Sequence, residues 1–157
     1  MVQAFHEESD RGAAVLAAGF VDEYLSVYLR SRIVDSKVGD ELFSPLGPLS
    51  GFSQKIACAY AFGFIAKRHY DDLSIIRRVR NHFAHYPLDS SFGTKVVADL
   101  VSGLSTFSDT TETRAKDPIL GNRHAYLFAC AMFCSGAYQA MSKPSSVKKE
   151  AIDDTQA

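Results

Sequence analysis

No stretch of this chain stays apolar for the roughly 20 residues that a membrane span needs before Lys, Arg, His or Gly interrupts it. The N-terminus lacks a basic segment followed by an apolar one. A cytoplasmic location with no membrane contact is the expectation. Cysteine is scarce. Cys58, Cys130 and Cys134 are odd in number and make no C-x-x-C pair, which fits a reducing compartment better than a disulfide framework, and all three read as core residues. Net charge is nearly absent at −1, so no global field pulls the chain onto nucleic acid. Also missing are strand-like alternation between hairpin turns, internal repeats, and a Lys-Ser or Lys-Thr after the glycines of residues 47–51, whose absence argues against a nucleotide P-loop. Cys130 and Cys134, one turn apart with His124 nearby, are better explained by packing than by a metal. His69, Asp71 and Asp72 resemble a helix start. No metal or other cofactor is expected.

What is present is enough for one core. With 157 residues and 46% hydrophobic composition, a single domain over 1–141 is expected, followed by a polar, flexible tail over 142–157. Apolar residues at helical spacing predict a first helix from about Ser9 to Ile33, with Ser9 and Asp10 as natural caps. Residues 35–51 are dense in turn formers and read as a structured loop with one helical turn. A second helix is predicted from about Phe52 to Ile65. A third runs from near His69 to His85 or Tyr86, ended by Pro87, which disfavours helical geometry in the residue before it. A short helix at Thr94–Leu104, a polar loop at Phe107–Asp117 and a last helix at Pro118–Met141 complete the pattern. The expected fold class is all-α, a bundle of four main helices plus a short one.

Basic residues are unevenly placed. Arg77, Arg78 and Arg80 lie together with Lys67 and Arg68 upstream, so any polyanion site should lie near residues 67–85. On a helical wheel Ile75, Ile76, Val79 and Phe83 form the buried stripe, and Arg77, Asn81 and Ala84 lie on a neighbouring face. Asn81 and His85, four apart, are neighbours. Arg80 and His85, five apart, point about 140° away from each other on a regular helix, so they cooperate only if the helix unwinds before Pro87 or a second subunit supplies the partner. The chemistry on offer is a His that titrates near neutrality, an Arg that can neutralise a phosphorane and an Asn that can orient either. Together they suit attack of an RNA 2′-hydroxyl on its own phosphate without a metal. The same Arg and His also suit a helix C-terminus as such, where they complement the dipole and bond free carbonyls. Glu8, Asp10 and Arg11 either cap the first helix or reach the third and position Arg77 or Arg80 through an ion pair.

The string Arg80-Asn81-His82-Phe83-Ala84-His85 resembles the R-x(4–6)-H signature of the HEPN superfamily. That resemblance implies a metal-independent endoribonuclease assembled across a homodimer, with Arg80 as phosphate stabiliser, Asn81 as orienter and His85 as general acid or base. Ordered blocks covering about residues 7–130 resemble the mannitol operon repressor family: Glu8-Ser9-Asp10-Arg11-Gly12-Ala13-Ala14, Glu41-Leu42-Phe43, Gly47-Pro48-Leu49-Ser50, Phe52-Ser53, Ala59-Tyr60-Ala61-Phe62-Gly63-Phe64-Ile65, Asp72-Leu73 and Ile76 to His85. This implies a helical-bundle fold and a regulatory role. The chain offers no helix-turn-helix and no strongly basic helix for a major groove, so action through a protein partner or through RNA fits it better. Two functions follow as expectations. One is a HEPN-type ribonuclease acting as a toxin or defence effector, with an antitoxin or other partner; the other is a non-catalytic regulatory or protein-interaction module.

Overall fold

The computed structural model describes residues 7–86, 88 and 90–142, and of residues 109, 110 and 114 the backbone only. Apart from Ser142, the expected tail lies outside the described residues. Seven α-helices appear among them: α1 Asp10–Arg30, α2 Ser36–Leu42, α3 Phe52–Ala61, α4 Lys67–His85, α5 Lys95–Val101, α6 Thr111–Lys116 and α7 Pro118–Met141. A 3-10 helix at Phe107–Thr110 precedes α6. The all-α expectation holds. Its polar loop at Phe107–Asp117 does not, because the 3-10 helix and α6 pack on α7. The single turn expected within 35–51 is the seven-residue α2, capped by Asp35, whose carboxylate accepts from the Lys37 and Val38 N–H groups.

Helix ends follow local chemistry. Ser9 caps α1 by accepting from Gly12 N–H at 3.0 Å. Asp117 caps α7 by accepting from the Ile119 and Leu120 N–H groups, with Pro118 in the first turn, where it forfeits no bond. α3 stops at Ala61, four residues before the expected end, because Gly63 turns the chain left-handed at φ +70°. The Phe64 N–H donates to Ala59 O at 2.8 Å and the Gly63 N–H to Tyr60 O at 3.0 Å, the paired bonds of a Schellman ending.

α1, α4 and α7 form the centre. α1 presents Ala13, Ala14, Ala17 and Val21 to the interior, and these small residues let α7 approach closely. The two helices run parallel: the Tyr126 hydroxyl donates to Ala14 O at 2.9 Å near their starts, and Arg32 donates to Ala140 O at 3.2 Å near their ends. α4 returns in the opposite direction, burying Leu73, Ile76, Val79 and Phe83. Phe83, Phe92 and Tyr126 stack with ring centroids 5.1 and 5.5 Å apart, joining α4 to α7 through the segment before α5. By length and composition α1 is apolar enough to cross a membrane, but half of that stretch is buried against its neighbours, as a core helix requires. Beside it Lys55, only 7% exposed, donates to Asp22 Oδ1 at 2.7 Å and Ser26 Oγ at 2.9 Å. Such a buried charge is tolerable only when paired in this way.

Candidate functional site

α4 carries most of the expected site, and its regularity decides what can meet. The helix runs unbroken to His85, and the Tyr86 N–H still donates to His82 O at 2.9 Å. Tyr86 then leaves helical geometry at φ −120°, ψ 69°, as a residue before proline should. The unwinding that would bring Arg80 to His85 does not occur within this chain, and the two side chains stay on different faces. Arg80 Nη1 donates to Asn81 Oδ1 at 3.0 Å.

A different set does come together. Arg78, Asn81, His82 and His85, spaced at i, i+3, i+4 and i+7, line one open cavity of about 260 Å3, completed by Tyr86 and by Val96 and Leu100 of α5. His82 lies against Tyr86 with ring centroids 4.9 Å apart. Val96 is 53% exposed and Tyr86 59%, so the apolar part of this surface faces outward. Arg80 does not line the cavity and reaches it only through Asn81. His82, Tyr86, Val96 and Leu100 are not among the site residues expected from the sequence. The i, i+3, i+4, i+7 recurrence of polar residues was the available signal for His82; the α5 residues needed the tertiary fold.

The other basic candidates are dispersed. Lys67 and Arg68 sit at the opposite end of α4 from His85, about 27 Å away along the helix axis, so the expected single polyanion site over 67–85 is split in two. Lys67 is paired with Asp71, whose hydrogen bond and charge hold the ammonium pKa above its usual value. Arg77 is half-buried.

The expected ion pair from the first helix also finds another partner. Asp10 Oδ1 accepts from Arg123 Nη1 at 2.8 Å and Asp10 Oδ2 from the Phe92 N–H at 3.1 Å, so it is Arg123 of α7 rather than Arg77 or Arg80 that meets the carboxylate. Asp10 therefore locks the starts of α1 and α7 together, and Arg11 is exposed. Cys130 and Cys134 are buried, whereas Cys58 is half-exposed rather than a core residue. Burial raises all three thiol pKa values, that of Cys134 up to about 11. Among the described residues no three His, Cys, Asp or Glu side chains gather as a metal-ligand set.

Comparison with known proteins places this geometry in context. The MtlR family model, described as mannitol repressor, matches residues 21–144. No curated protein matches. Among solved structures, that of the MtlR–HPr complex from Escherichia coli superposes with a TM-score of 0.67 at 14% identity, covering 83% of this chain and 90% of that one.

Proposed function

Since the chain belongs to the MtlR (mannitol repressor) family, we propose that it is a regulator that acts by binding a partner protein, and that the end of α4 together with α5 is the docking surface. The observation that carries this reading is the makeup of that surface. Tyr86, Val96 and Leu100 give an apolar centre, and Asn81, His82, His85 and the charged Arg78 give a polar rim. An apolar centre within a polar rim is the anatomy of a protein interface, and the rim chosen here suits an acidic partner surface. The related E. coli protein was solved with HPr, which supports HPr as the first partner to try.

Calorimetric titration of HPr into the purified chain tests this. Binding in the micromolar range is expected, weakened about tenfold or more in Arg78→Glu and Val96→Asp, each of which spoils rim or centre. No heat with wild type at high micromolar concentrations, or equal affinity in both variants, overturns the reading.

A second reading, metal-independent RNA cleavage, has one observation in its favour: Asn81 and His85 do share a cavity with His82 and Arg78. It needs an arginine placed opposite His85, and the regular helix leaves Arg80 to be delivered by a second copy. A homodimer has its own support in the outward stripe of α1, where Leu16, Phe20 and Val27 are 44–47% exposed. Incubation of the chain with single-stranded RNA in EDTA decides this reading: cleavage lost in both His85→Ala and Arg80→Ala supports it, and intact RNA with wild type ends it.

A further inference from the structure

Where the start of α4 meets the second half of α7, a half-open cavity of about 110 Å3 remains, at the opposite end of α4 from the docking surface proposed above. Tyr28, Phe64, His69, Met132 and Phe133 line it, together with small residues of α7, Gly136 among them. A separate, larger groove beside it, about 380 Å3, carries both Arg68 and Asp72 and so favours neither sign of charge. Gly136 lies inside the 24-residue α7, where glycine is disfavoured. Helix packing does not demand it there, since a Cβ built on it meets nothing within 4 Å. A bulky side chain at this position would fill space that is now open.

The lining of the smaller cavity decides what it can hold. No Asp, Glu, Lys or Arg side chain borders it, so a charged guest would lose its hydration with no counter-charge in return. Arg32 lies over the Tyr28 ring and donates to Ala140 O at 3.2 Å, but it does not line the cavity. The Tyr28 hydroxyl is committed as well, donating to Phe64 O at 2.8 Å. His69 is half-buried, its ring edge-on to Phe133 with centroids 6.4 Å apart, and its imidazole makes no hydrogen bond among the described residues. A neutral imidazole carries one donor and one acceptor, so His69 is the side chain with a polar contact left to give. Aromatic and thioether walls favour a ring as the apolar body. An apolar cavity of about 150 Å3 takes benzene, so this smaller space, open on one side, suits a single ring and nothing larger.

We propose that this cavity binds a small uncharged single-ring compound bearing one hydroxyl, of the phenol class. The ring packs against Tyr28, Phe64 and Phe133, and the hydroxyl bonds to the His69 imidazole. Size excludes fused rings, and the uncharged lining excludes carboxylates of the same ring. The site stands apart from partner docking and does not rest on it.

The test is an NMR titration of the full chain at pH 8 with phenol, toluene, benzoate and 2-naphthol. Phenol is expected to bind with a Kd on the order of 1 mM, as so small a ligand allows. It should shift the His69 imidazole and the Met132 methyl and leave the Val96 and Leu100 methyls in place. Benzoate should bind at least about tenfold more weakly, since it must give up the hydration of its charge. His69→Phe should weaken phenol about tenfold and toluene hardly at all, because only phenol loses a hydrogen-bond partner. Gly136→Leu should abolish phenol binding. In case that variant does not fold, 2-naphthol makes the same test of size on wild type and should produce no saturable shift at His69. Unmoved His69 and Met132 signals under phenol, benzoate or 2-naphthol binding as tightly as phenol, equal weakening of phenol and toluene in His69→Phe, or wild-type affinity in a folded Gly136→Leu chain would overturn the proposal.

Discussion

At the scale of single residues, the contacts that matter most were the least visible in the sequence. Asp10 and Arg123 are 113 positions apart, and the pair exists only because α1 and α7 start side by side. Its side chains are only 21% and 15% exposed, so truncation leaves a poorly hydrated carboxylate. Arg123→Ala is predicted to cost about 2 kcal/mol, the usual worth of a hydrogen bond to a charged group. Urea unfolding would measure it, and an unchanged midpoint would show the pair to be idle. The thiols make a prediction about pH. Burial lifts Cys134 from an ordinary 9.0 to about 11, and Cys130 is raised further. Above pH 9 the unfolded chain gives up thiol protons that the folded chain retains, so stability is intact below that pH and is lost as pH rises toward 11. An aromatic disulfide reagent at pH 7 should therefore modify Cys58 first and the other two at the rate of unfolding. Rapid modification of all three would contradict the burial described.

Among the elements, helices with strong local signals were legible. Ser9, Pro118 and Pro87 mark ends that the structure places within a residue, because caps and proline act on neighbouring backbone groups. α6 was not legible, since its short polar run is held by packing on α7 rather than by its own propensity. Gly63 marks the end of α3 in the sequence, two residues before the expected end at Ile65. At φ +70° a Cβ is strained, so Gly63→Ala should cost about 1 kcal/mol and Gly63→Asn less, because Asn tolerates the left-handed region. Thermal unfolding would rank the two, and an alanine variant as stable as wild type would refute the Schellman ending. The regularity of α4 through His85 has the largest functional consequence. It separates Arg80 from His85 and gathers Arg78, Asn81, His82 and His85 instead.

For the molecule as a whole, periodicity was enough to give the all-helical bundle and the right number of long helices. It could not say which polar residues share a surface, because that depends on which helices lie side by side. The wheel placed Asn81 near His85, yet Val96 and Leu100 join them only once α5 folds back along α4. The basic residues of α4 illustrate the same limit: close in the sequence, they divide between the two ends of a long helix, with Arg68 bordering one groove and Arg78 another. The central claim is that the α4–α5 end is where a partner protein docks. Backbone amide shifts of the isotope-labelled chain, followed while HPr is titrated in, test it most directly. The account predicts shifts concentrated at residues 78–86 and 95–100. Shifts confined to α1, or none at a saturating concentration of HPr, would contradict it.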